Sequence, residues 1–221
     1  MSTPLSPLLS LVVLISGRGS NLQAILEAIA QGRLAAEVRA VISNRPGAAG
    51  LAHARRAGIP AEVVDHREYT DREAFDRALA DRIDRYRPDL VVLAGFMRIL
   101  GPEFVRRYRG RLINIHPSLL PKFKGLETHR RALEAGEREH GASVHLVTEE
   151  LDGGPLLMQA RVPILPGDTP ERLAARVLEQ EHRLYPAVLQ LFAEGRLTTD
   201  SAGRPRLDGR PLERPLALDA S

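Results

Sequence analysis

The chain has 221 residues, 43% hydrophobic and 27% charged, with no cysteine and no tryptophan. That composition excludes wholesale disorder, a disulfide scaffold, thiolate metal sites and a cysteine nucleophile. No run approaches the roughly 18 apolar residues of a membrane span. Lys122 and Lys124 are the only lysines and the net charge is only +3, so the pI of about 9.7 reflects late-titrating arginine more than a polyanion footprint.

Taken in chain order, residues 1–10 read as a flexible lead-in. They lack a basic segment and are interrupted by Pro4 and Pro7, so they do not make a secretory signal, and a cytoplasmic location is expected. Leu11–Ser16 predicts a buried strand that runs into the turn Gly17-Arg18-Gly19. Leu22, Ile25, Leu26 and Ile29 then fall at helical spacing within Asn21–Gln31. Strands follow at Val38–Ser43 and Ala61–Asp65. Thr70-Asp71-Arg72-Glu73 reads as a capping box opening a helix to about Tyr86, which Pro88 stops. Further strands are predicted at Leu90–Gly95, Arg111–His116, Ala142–Val147 and Leu157–Ile164. Thr169-Pro170-Glu171 caps a final helix to about Ala193, closed by Gly195, with Pro186 predicting a kink or break near Leu184. The tail, residues 198–221, reads as a hairpin around Ala202-Gly203 and Asp208-Gly209 followed by a loose end. Strand–helix alternation of this kind predicts an α/β fold: a mostly parallel sheet with helices on both faces and ligands at the C-terminal strand ends.

Three constellations carry chemistry. Ser16-Gly17-Arg18-Gly19-Ser20-Asn21 lies between a strand and a helix, where backbone N–H groups and the helix N-terminus meet an anion. Leu22 stands where a dinucleotide fingerprint needs glycine, and Ser43-Asn44-Arg45 offers no acid for a ribose hydroxyl. A single phosphate fits that turn better than a nicotinamide cofactor. Asn114 and His116 lie two apart at a strand end, so both side chains leave one face and can donate to one developing oxyanion. The third is the acidic loop Thr148-Glu149-Glu150-Leu151-Asp152-Gly153-Gly154. If it reaches His116, Asp152 would orient the imidazole and raise its pKa. His129, His140 and His145 lack metal-site spacing, and His145 reads as a satisfied core histidine. Glu179, Glu181 and His182 read as a solvated helix face, and the pairs Arg55-Arg56, Arg106-Arg107 and Arg130-Arg131 lack the interleaved aromatics of a nucleic-acid surface.

Together VVLISGRGSNLQAI, DREAFDRAL, DLVVLAGFMRIL, RLINIHPSLLPKFKG, GASVHLVTEELDGGP and QEHRLYP make the chain resemble the folate-dependent phosphoribosylglycinamide formyltransferases, from Leu11 to about Gly209. The resemblance implies a Rossmann-like formyltransferase fold with a seven-stranded, mostly parallel sheet. It implies one domain over 11–197, with a phosphate-binding half at 11–110 and a catalytic, folate-binding half at 111–197. It also implies formyl transfer from 10-formyltetrahydrofolate to the glycyl amine of 5-phosphoribosylglycinamide, without a metal, by a monomer or homodimer that binds neither nucleic acid nor membrane. Carried over residue by residue, Asn114, His116 and Asp152 match the catalytic set. Gly19, Ser20 and Asn21 resemble the phosphate-binding turn, and Glu181 the acid that holds the ribose. Arg72 and Met97-Arg98-Ile99-Leu100 resemble the folate-binding elements, joined there by Asn114. Lys124 and Glu127 depart from the residues usual at those positions, and a charge at Glu127 would either act on His116 or face solvent.

Two other formyl-handling families share the Asn-x-His pattern. The tRNA formyltransferases normally carry a further RNA-binding domain of about a hundred residues, and the formyltetrahydrofolate hydrolases an N-terminal regulatory domain. Neither is expected in this chain. A catalytically silent binding protein would have no need of Asn114, His116 and Asp152 together.

Overall fold

Apart from Ser10, Leu9–Ile15 is entirely aliphatic, and it forms β1, a strand covered on both faces. The computed structural model describes residues 8–218. Residues 1–7 of the expected lead-in lie outside the described residues, and Leu9 and Ser10 already belong to the sheet. The chain continues through α1 (Ser20–Ala30), β2 (Ala36–Ser43), α2 (Leu51–Arg56), β3 (Ala61–Val63) and a 3-10 turn at His66–Glu68. Then come α3 (Arg72–Asp84), β4 (Leu90–Leu93), α4 (Pro102–Arg107), β5 (Leu112–His116) and α5 (Thr128–Glu134). β6 (Glu139–Leu146), β7 (Leu156–Pro163) and α6 (Pro170–Ala193) complete the body, followed by β8 (Leu197–Thr199), β9 (Pro205–Leu207), β10 (Arg210–Pro211) and β11 (Leu216–Ala217).

The main sheet has eight strands in the order β11-β7-β6-β5-β4-β1-β2-β3, and only β6 runs against its neighbours. The eighth is β11, which pairs in parallel with β7 through Leu216↔Met158 and Ala217↔Gln159. Two residues carry no periodicity, so a seven-stranded sheet with a loose tail was the natural expectation. In the fold, β11 covers the edge of β7, and residues 219–221 of the expected loose end lie outside the described residues. The two predicted tail turns are present, and they join β8, β9 and β10 into a small antiparallel sheet.

Alternation within β1 sends Leu11, Val13 and Ile15 to one core and Val12 and Leu14 to the other. The first core is closed by α1 and α6, the second by α3 and α4. Two helix details differ from the sequence expectation. The cap of α3 is Asp71, not Thr70: its carboxylate accepts from the Ala74 N–H at 2.8 Å, while the Thr70 hydroxyl donates to that same carboxylate at 3.1 Å. α6 runs unbroken through Pro186. Leu184, Tyr185, Val188 and Leu189 are fully buried around it, and that packing outweighs the lost backbone hydrogen bond. Among the described residues no helix is long and apolar enough to cross a membrane.

Candidate active site

The chain builds β1, β2 and β3 outward in one direction, then returns to place β4 on the other side of β1. The C-terminal ends of β1 and β4 therefore flank the point where strand order reverses, the place where such sheets open a ligand crevice. On one side of it is the turn after β1, on the other the segment after β4. Ser16 ties them together: its hydroxyl accepts the Met97 N–H at 2.8 Å and donates to Asn44 Oδ1 at 2.6 Å. Nothing in the sequence pattern singles out Ser16 or Asn44 for this role, because the bond to Met97 spans 81 residues.

Gly19 caps α1 in the left-handed conformation (φ 74°), and no side chain caps the helix. No side chain thus occupies the first N–H groups of α1, beginning at Ser20, and such groups suit an anion. Asn21 is buried on the first turn and donates from Nδ2 to Glu181 Oε2 at 2.7 Å, across 160 residues. Glu181 therefore does not lie on a solvated face; it is 8% exposed. Burial pushes its carboxyl up to about 7, against the lowering effect of Asn21. The Asn21 carbonyl oxygen Oδ1 is buried without a hydrogen-bond partner among the described residues, which leaves an acceptor free for a hydroxyl or amide. One turn along α6 from Glu181, the Tyr185 hydroxyl lies 2.9 Å from the Leu93 carbonyl oxygen and 3.2 Å from that of Ile113. These contacts fix α6 against the end of β4 and the first half of β5.

Asn114 and His116 emerge from the end of β5. His116 is buried, with Nδ1 3.5 Å from Asp152 Oδ2 and Nε2 2.9 Å from the Phe123 carbonyl oxygen. The loop after β6 does reach it. Gly154 explains how: a Cβ there would fall onto the Leu146 carbonyl oxygen, so only glycine lets the loop fold back against β6. Asp152, at φ 49°, then accepts the Gly125 N–H at 2.8 Å and so joins the two loops that border the site.

His145 is buried and bonded, as a core histidine should be, but its partners belong to the site. Nδ1 lies 2.9 Å from the Leu146 carbonyl oxygen, Nε2 3.2 Å from Asn114 Nδ2 and 3.8 Å from Asp152 Oδ1. A carbonyl partner assigns the proton to Nδ1, so Nε2 accepts from Asn114 and orients its amide. Burial holds the His145 ring below the ordinary histidine range and favours that neutral form. The sequence gives no hint of this bridge, since β6 brings His145 beside Asn114 only through antiparallel pairing.

The loop after His116 is fastened from below. The Ser143 hydroxyl donates to the Ser118 carbonyl and accepts the Leu120 N–H, and the Gln159 amide donates to the Leu120 carbonyl at 2.9 Å. Lys124 pairs with Glu150 at 2.6 Å, a second link between the two bordering loops. Glu127 faces solvent and pairs with Arg130, so its charge is not turned toward His116. His129 and His140 stack edge to face with centroids 5.2 Å apart, and burial followed by the His129 charge pushes His140 down to about 4.

Beyond β4, Met97 and Ile99 are 63% and 61% exposed, unusual for side chains of this size. Arg98 lies over the Phe75 ring at 4.8 Å, Leu100 is partly buried against the same core, and Arg72 is exposed at the start of α3. The segment and the start of α3 together therefore offer two exposed apolar side chains and two guanidinium groups, a surface suited to a flat apolar ligand with a carboxylate tail. Among the described residues, no three His, Asp or Glu side chains form a metal site.

Residues 9–189 match the formyl transferase family. The chain is 57% identical over 189 residues to phosphoribosylglycinamide formyltransferase of Escherichia coli strain K12, covering 86% of this chain and 89% of that one. It is 46% identical over 202 residues to the enzyme of the same name from Haemophilus influenzae, covering 91% and 95%. The solved phosphoribosylglycinamide formyltransferase of Coxiella burnetii superposes with a TM-score of 0.91 at 56% identity, over 97% of this chain and 100% of that one.

Proposed function

The chain belongs to the formyl transferase family, and from that premise we propose that it moves the formyl group of 10-formyltetrahydrofolate onto the glycyl amine of 5-phosphoribosylglycinamide. The reaction is a folate-dependent step of purine biosynthesis. Both substrates are small molecules, and a cytoplasmic setting suits them. The observation that carries the residue-level reading is the meeting of Asn114 and His116, at the end of β5, with Asp152, from the separate loop after β6.

In this reading the α1 N-terminus with Gly19 and Ser20 takes the phosphate, and Asn21 with Glu181 takes the ribose hydroxyls. The folate lies along Met97–Leu100, with Arg72 and Arg98 available to its carboxylates. As the neutral amine attacks the formyl carbon, the carbonyl oxygen gains negative charge. Asn114 has one amide hydrogen committed to His145, and its second donates to that oxygen. His116 exchanges the Phe123 carbonyl for the reacting group. It donates first to the oxyanion and then passes its proton to the folate nitrogen as the C–N bond breaks. Asp152, facing Nδ1, holds the imidazole with Nε2 toward the substrate. The amine's own surplus proton leaves to solvent, and solvent returns one proton to His116, which closes the cycle.

The test is formyl transfer from 10-formyl-5,8-dideazafolate followed spectrophotometrically with and without the ribonucleotide. Product formed only when the ribonucleotide is present is the expected result. Release of formate without it would point to a hydrolase and contradict the reading, and no turnover at all would point to a binding protein.

A further inference from the structure

α3 presents Arg72, Phe75 and Asp76 on one face, at the i, i+3, i+4 spacing, and that face lies beneath the segment after β4. Asp76 is 5% exposed, rare for a carboxylate. Its Oδ2 accepts the Gly101 N–H at 2.6 Å, a buried bond across 25 residues, and its Oδ1 has no hydrogen-bond partner among the described residues. Gly101 sits close enough that an added Cβ would lie 2.8 Å from Asp76 Oδ2, so the backbone and the carboxylate are fitted to each other. The other end of the segment is held by Ser16, which accepts the Met97 N–H at 2.8 Å. Between these two anchors stand exposed Met97 and Ile99, with Arg98 laid over Phe75.

We propose that Asp76 is a positioning residue for the formylfolate: its bond to the Gly101 N–H clamps the far end of residues 97–101 and sets the Met97, Arg98 and Ile99 surface. The inference rests on the reading of 97–100 as the folate segment. A buried carboxyl with one oxygen unpaired is costly to keep, and an ordinary helix cap for the six-residue α4 does not require one. Asp76 touches neither substrate in this account. It acts through the backbone of Gly101.

The experiment compares the unaltered chain with Asp76→Ala and Asp76→Asn. The constants are Kd for 5,8-dideazafolate, KM for the formyl donor, KM for the ribonucleotide, and kcat. Circular dichroism and Tm verify folding. Loss of one buried hydrogen bond, leaving the Gly101 N–H unpaired, corresponds to a change of about tenfold, so Asp76→Ala should weaken folate Kd and KM by about tenfold. The ribonucleotide KM should stay within about twofold, because Ser16 still fixes the end nearer the phosphate turn. Asp76→Asn keeps an oxygen for the Gly101 N–H and should recover folate binding to within about threefold. A folded Asp76→Ala with unchanged folate Kd would overturn the proposal. So would equal weakening toward both substrates, or an Asn variant as impaired as Ala. Absence of turnover by the unaltered chain would instead remove the transferase reading and this proposal with it, so the two failures are distinguishable.

Discussion

Glu181 illustrates how one side chain's surroundings decide its chemistry. On helical periodicity it belongs to a solvated face, yet α6 packs so that Asn21 meets it and water is excluded. A carboxyl raised to about 7 is protonated in the folded chain at pH values where the unfolded chain is ionised. Stability tied to this group is therefore full below about pH 4.5 and is lost as pH rises through about 7, by on the order of 3 kcal/mol. In the proposed reading, binding runs the other way, because only the ionised form of Glu181 is a full acceptor for the ribose hydroxyls. The ribonucleotide KM should rise as pH falls below about 7. Glu181→Gln should flatten both dependences, raising stability at pH 8 relative to the unaltered chain while keeping KM high. A Gln variant that retains the pH dependence of KM would assign the titration to another group.

At the scale of elements, the site depends on two loops that are folded back rather than extended. The loop after β6 turns on Gly154, and the loop after β5 rests on Ser143 and Gln159 from β6 and β7. Gly154→Ala places a methyl group against the Leu146 carbonyl, and overpacking of this kind destabilises by about 1–3 kcal/mol. At about 2–4 °C per kcal/mol for a chain of this size, Tm should drop by several degrees. Because the same shift carries Asp152 away from His116, kcat should fall with it. Unchanged Tm and kcat would mean that the loop is not held by this contact. Elements themselves were legible where they were long and strongly periodic: β1, α1, α3 and α6 all lie within a few residues of their predicted positions. The six- and seven-residue helices α2, α4 and α5 and the two-residue β11 were not, because none spans enough turns or pleats to show a period.

Across the whole molecule, sheet topology does what local patterns cannot. Asn114 and His116 could be paired from their spacing alone, and the two glycines after Asp152 marked a tight loop. His145, Ser16 and Asp76 stayed hidden because their partners lie 31, 81 and 25 residues away and become neighbours only through strand order and helix packing. The basic pI also finds its place at this scale. Many arginines pair with surface carboxylates, as Arg196 does with Asp208, while Arg72 and Arg98 border the proposed folate surface. The same topology sets Asp152 within 3.5 Å of His116 and leaves both only 8% exposed at the side chain, and on that pair the proposed chemistry turns. The most direct measurement is kcat of a folded Asp152→Asn variant with both substrates saturating. The account predicts a fall of about 10²–10⁴-fold, the range supplied by a correctly oriented acid–base group. A rate near that of the unaltered chain would contradict it.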